Sequence, residues 1–138
     1  MKRLVAFLPA ALLTLAGCGD TCTSKSADVQ ELPSTCTLPA SASTSIEVRL
    51  CPKCTDSGTG CQAEFVNGQF ELDPTFQECQ ADAGCDITRA CTLASVRCLV
   101  TTPSVGTATS YTIKAGGNQK IGTANVVPGA SASCSLGG

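Results

Sequence analysis

No histidine occurs anywhere in the 138 residues. Histidine is the side chain whose ordinary pKa lies near neutrality. Its absence excludes Ser-His-Asp and Cys-His nucleophile activation, His-ligated catalytic zinc and the commonest general base. A hydrolase would have to use paired carboxylates or a Ser-Lys arrangement. Beyond Lys2 the lysines stand at positions 25, 53, 114 and 120, and no Gly-x-Ser-x-Gly elbow accompanies them. An enzyme is not expected, and no cofactor is implied. Tryptophan is missing too, and aromatic residues make up only 4% of the chain. With few rings to stack on bases and a net charge of −2, nucleic acid is not an expected partner. Helix-period runs of useful length are also absent, since Thr, Val, Ser and Gly dominate where Leu, Glu and Lys would favour helix.

One long apolar run is present. Met1-Lys2-Arg3 precedes Leu4 to Leu15, a run broken only by Pro9 and Thr14. Positive charge, a dozen mostly apolar residues and then small residues form the layout of a secretory signal peptide. The run is too short for a permanent transmembrane helix, which takes about 20 apolar residues. Leu15-Ala16-Gly17-Cys18 resembles the lipobox of bacterial lipoproteins. The resemblance implies cleavage before Cys18, with a diacylglycerol group on its sulfur and a membrane partner through that anchor. In the sorting pattern of such lipoproteins, Asp directly after the lipid-bearing Cys retains the protein in the inner membrane. Gly19 takes that place here, with Asp20 one further on, so the expected address is the cell envelope, at the outer membrane sooner than the inner.

Removing residues 1–17 leaves 121 of the 138, with seven bases and eleven acids. Seven acids lie between Cys54 and Thr88 with no Lys or Arg among them, and after Asp86 there are only bases, Arg89, Arg97, Lys114 and Lys120. Such a division either pairs the two segments across the fold or forms a surface for a partner.

Ten cysteines follow Cys18: Cys22, Cys36, Cys51, Cys54, Cys61, Cys79, Cys85, Cys91, Cys98 and Cys134. An even number, near 8% of a small exported chain, reads as a disulfide framework whose connectivity spacing does not reveal. Each bridge typically contributes about 2–4 kcal/mol, comparable with the marginal stability of a small domain, so reduction is expected to unfold it.

Residues 18–45 are rich in Ser, Thr, Ala and Pro, ending Ser41-Ala42-Ser43-Thr44-Ser45. This composition reads as a lipidated N-terminus and flexible tether. From Ser45 the pattern turns period-two: Ile46, Val48 and Leu50 alternate with Glu47 and Arg49, as in a half-buried strand. Cys61 to Leu72 reads as a hairpin around Asn67-Gly68, which suits a type I′ turn. That register sets Phe65 opposite Phe70, Ala63 opposite Leu72, and Glu64 opposite Glu71, two like charges that need solvent or a cation. Asp73-Pro74 is expected to end the strand, with loop or a short helical turn to Asp86. Val96, Cys98 and Val100 alternate again, and Thr107 to Ala115 and Lys120 to Val127 flank a turn at Gly116-Gly117-Asn118. The fold class is therefore all-β: a small disulfide-rich antiparallel sandwich or barrel-like domain over residues 46–138.

Three chemistries compete for Cys51-Pro52-Lys53-Cys54. The motif looks like that of thioredoxin-type oxidoreductases, which implies a thiol-disulfide role for Cys51 and Cys54. No strand–helix–strand pattern surrounds it. A zinc ribbon needs a second such knuckle about 15–20 residues on, and none exists. Two structural half-cystines at a strand end fit best. Calcium has weak candidates in Asp73, Glu78, Asp82 and Asp86, together with Glu71, but the EF-hand spacing is absent. The expected role is structural or binding, with a protein or an envelope polymer as partner. A protein-binding or inhibitor module presenting Thr55–Gly60 or Pro74–Asp86 as a rigid loop is the other reading.

Overall fold

A computed structural model describes residues 22–51, 59–79 and 93–136, the side chains of residues 78 and 79 excepted. Ten strands follow in chain order: β1 (Cys22–Ser26), β2 (Val29–Glu31), β3 (Pro33–Pro39), β4 (Ser43–Leu50), β5 (Gly60–Val66), β6 (Gln69–Cys79), β7 (Ala94–Thr101), β8 (Thr109–Ala115), β9 (Lys120–Val127) and β10 (Ser133–Leu136). They form two sheets, a larger one in the order β1-β6-β8-β9-β3-β10 with β5 on β6, and a smaller one in the order β2-β4-β7. The sheets are not closed into a barrel. The fold is an all-β sandwich.

Alternation in the sequence becomes alternation in space. Ile46, Val48 and Leu50 of β4 are buried, as are Val96, Cys98 and Val100 of β7. β4 pairs with β7 antiparallel, Ile46 opposite Cys98 and Val48 opposite Val96. From the larger sheet Leu38, Phe70, Leu72, Ile113, Ala124 and Val126 complete the core. Burying one such aliphatic or aromatic side chain contributes about 1.5–3 kcal/mol. The Asn67-Gly68 hairpin has the expected register, with Phe65 opposite Phe70 and Ala63 opposite Leu72. Both turn residues have positive φ, 51° and 77°, as a type I′ turn requires. Phe65, Phe70 and Tyr111 gather into one aromatic cluster with ring centroids 4.8 to 6.1 Å apart.

The chain departs from the sequence reading in three places. Residues 22–45 are not a tether within the described chain. They form β1, β2, β3 and the start of β4, and Ala27, Val29, Cys36 and Leu38 are buried. All five residues of β1 are exposed, and from Ala27 to Leu38 the buried positions are Ala27, Val29, Pro33, Cys36 and Leu38. The strand also does not stop at Pro74, because β6 runs on to Cys79. The Leu72 and Pro74 carbonyls accept from Gly116 and Ala27 at 3.0 and 2.7 Å, so both face the edge of β6 away from β5. There β8 pairs as far as Leu72 and β1 begins at Thr75. The missing proline N–H falls at this junction between neighbours and costs the sheet no ladder bond. Finally, β3–β9 and β6–β8 are parallel pairs within an otherwise antiparallel arrangement.

The two ends of the sandwich differ. At one end lie the start of β1, the ends of β4 and β6, and the turn between β8 and β9. Gly116 has φ 75°, and a Cβ there would lie 2.7 Å from the Ala27 carbonyl oxygen, so only glycine lets this turn meet residues 27–29. Asn118 completes the contact: its Oδ1 accepts from Val29 N–H at 3.1 Å and its Nδ2 donates to Val29 C=O at 2.9 Å. At the opposite end the β3–β4, β5–β6, β7–β8 and β9–β10 connections gather. Thr102 organises part of that end. Its hydroxyl accepts from Ala42 N–H at 3.0 Å and stands 2.6 Å from the Pro39 carbonyl oxygen, to which it donates. Thr102→Val keeps the shape and leaves both backbone groups unpaired. The expected loss is about 1–3 kcal/mol, read as a lower urea midpoint with an unchanged slope.

Candidate functional site

Sulfur chemistry comes first, since ten cysteines were candidates. Cys98 on β7 is fully buried and is bonded to Cys61 on β5, joining the two sheets. Cys36 on β3 is bonded to Cys134 on β10, where the two are directly opposed in the ladder. Cys22 and Cys51 are disulfide-bonded as well. Every cysteine with a described side chain is thus a half-cystine. Cys22 stands opposite Cys79 in the β1–β6 register. Cys18, Cys54, Cys85 and Cys91 lie outside the described residues, and so does the side chain of Cys79. The Cys51-Pro52-Lys53-Cys54 motif follows β4, as its sequence indicates, and Cys51 is disulfide-bonded.

The acidic candidates scatter. Asp73 accepts a hydrogen bond from the Ser26 hydroxyl. Glu71 accepts from Gln69 Nε2 at 2.6 Å and stands between Glu64 and Lys114 in the register of the sheet. Glu78 lies in β6 with its side chain undescribed, and Asp82 and Asp86 are outside the described residues. Among the described residues no three acids or cysteines are grouped to hold a metal ion.

The two outer faces have different chemistry. On the smaller sheet Arg49 pairs with Glu31 at 3.1 Å, Ser95 donates to Glu47 at 2.8 Å, and Arg97 stands opposite Glu47. An exposed pair such as Arg49–Glu31 contributes at most about 1 kcal/mol. On the larger sheet the register builds two neutral rows across four strands. Thr112, Thr123, Thr35 and Ser135 are successive neighbours in one row, and Ser110, Asn125, Thr37 and Ser133 in the next. The neighbours in a row sit about 4.8 Å apart, as strand spacing dictates. Ser110 donates to Asn125 Oδ1 at 2.6 Å. Alternation of Ser, Thr and Asn with Cys, Leu, Tyr, Ile, Ala and Val in these segments is the sequence signal for this face. Its assembly into rows needed the parallel β3–β9 pairing, which period-two patterning does not encode.

Comparison with protein-family models, with curated proteins and with solved structures finds no match for this chain. The site therefore rests on chemistry alone: a covalently braced sandwich, a neutral hydroxyl-lined face, and a group of connections at the end away from β1. No described thiol is available as a nucleophile. Alkylation of the native protein followed by peptide mass spectrometry is expected to leave Cys22, Cys36, Cys51, Cys61, Cys98 and Cys134 unmodified. Label on any of these six would contradict the bonded state.

Proposed function

We propose that the protein is a lipid-anchored lipoprotein of the cell envelope, held by acyl chains on Cys18 and serving a structural or binding role through its disulfide-braced sandwich. The observation that carries the reading is the bonded state of the cysteines, six of them among the described residues. Bridges of this kind persist in oxidising compartments outside the cytoplasm, which is where the signal-like segment and lipobox at residues 1–18 direct the chain. Two or three acyl chains suffice for stable anchoring, because each buried methylene contributes about 0.8 kcal/mol.

A binding role has a surface to use. The rows on the larger sheet offer hydroxyl and amide groups to a polar partner, an envelope polymer or a protein, without a net charge to select against either. The reading as a loop-presenting module draws support from the β3–β4, β7–β8 and β9–β10 connections, which converge through hydrogen bonds at Ala40, Ser41 and Thr102. Of the two loops read from sequence, residues 74–79 belong to β6 and are not a loop. The rest of both lies at or beyond the limits of the described residues.

The anchor is tested by the mature N-terminal peptide. It is expected to begin at Cys18 and to carry acyl mass, and the protein is expected to sediment with membranes. Cys18→Ala should move the protein out of the membrane fraction. A peptide that begins elsewhere and carries no fatty acid would contradict the reading.

A further inference from the structure

A lipoprotein is commonly pictured as a domain floating on a tether. Here the chain leaves little room for one. The first strand begins at Cys22, four residues after Cys18, and a fully extended chain of that length reaches no more than about 14 Å. A flexible linker running from residue 18 to 45 would instead have an end-to-end distance of about 30 Å. Lengthening the connection by peeling β1 away would break an edge ladder. β1 pairs with β6 along all five of its residues, and Cys22 itself is disulfide-bonded.

Topology then decides which part of the molecule is near the lipid. β1 starts beside the end of β6 and leads to residues 27–29, which rest on the β8–β9 turn through Gly117 and Asn118. Lys120 donates to the Gln30 carbonyl in the same place. The β3–β4, β7–β8 and β9–β10 connections lie at the opposite end, where Thr102 N–H donates to Ala42 C=O and Ala40 N–H to Val127 C=O. We propose that this chain is a membrane-apposed module: the end formed by β1 and residues 116–120 sits against the phospholipid headgroup layer, and the three connections around Ala42 and Thr102 point away from it. The proposal rests on lipidation at Cys18. It gives the sandwich a fixed orientation on the membrane and makes residues 40–42, 102–108 and 128–132 the part offered to a partner.

The experiment uses the full mature lipoprotein in nanodiscs of phosphatidylethanolamine and phosphatidylglycerol that contain a small fraction of gadolinium-chelated lipid. Acyl mass on the N-terminal peptide is measured on the same sample. Amide relaxation enhancement is expected to be several-fold greater at residues 23–28 and 116–120 than at residues 40–42 and 104–108. A second protein carries twenty Gly/Ser residues inserted after Gly19, ahead of the first described strand, and its enhancement at residues 23–28 and 116–120 should fall. Equal enhancement at both ends, or no response to the inserted linker, overturns the apposition while the lipoprotein reading stands. Absence of acyl mass overturns both.

Discussion

Cys98 lies at the centre of β7, fully buried, and its bond to Cys61 ties the smaller sheet to the outermost strand of the larger one. The rest of the sandwich depends on this link. Sandwiches ordinarily hold their sheets together through bulky inward side chains. Here Leu38, Ile46, Leu50, Phe70 and Ile113 supply such side chains beside small ones at Ala115 and Ala124, the described aromatic cluster is confined to Phe65, Phe70 and Tyr111, and the bridge adds a covalent tie. Closing a loop of 37 residues restricts the unfolded chain by roughly 4 kcal/mol. That is a large share of the stability a domain this small has to work with.

The second described bridge does a different job. Cys36 and Cys134 are 98 residues apart in sequence and 4.1 Å apart at Cα, so the bond joins an early strand to the last one. A loop of that length restricts the unfolded chain by roughly 5 kcal/mol. With β3 fixed between β9 and β10 and β1 paired to β6, these two early strands lie within the larger sheet, while β2 and β4 belong to the smaller one. The proposed assignment of one end of the sandwich to the membrane rests on the pairing of β1 with β6.

Much of this was legible in the sequence where local chemistry decides the outcome. Asn67-Gly68 specified a hairpin and its register, Ile46-x-Val48-x-Leu50 specified a strand, and Gly116-Gly117-Asn118 specified a turn. Residues 22–39 were not legible, because their Ser, Thr and Pro content resembles that of a linker. The groups that bury Val29, Cys36 and Leu38 come from strands distant in the sequence. Pro74 misled for a related reason: a proline ends a strand only if its missing N–H had a partner to lose. The hydroxyl rows and both parallel pairings depend on which strands become neighbours, and period-two patterning carries no information about that. The candidate site was legible only in its parts, as bridged cysteines and exposed hydroxyls without their arrangement.

The central claim is that the fold requires the covalent bonds between and within its sheets in addition to its apolar core. Hydrogen exchange at Ile46, Val48, Val96 and Ile113 amides, compared in the oxidised and fully reduced mature domain without denaturant, addresses it directly. The account predicts slow exchange in the oxidised protein and loss of protection at all four positions after reduction. Retention of the same protection by the reduced protein would contradict it.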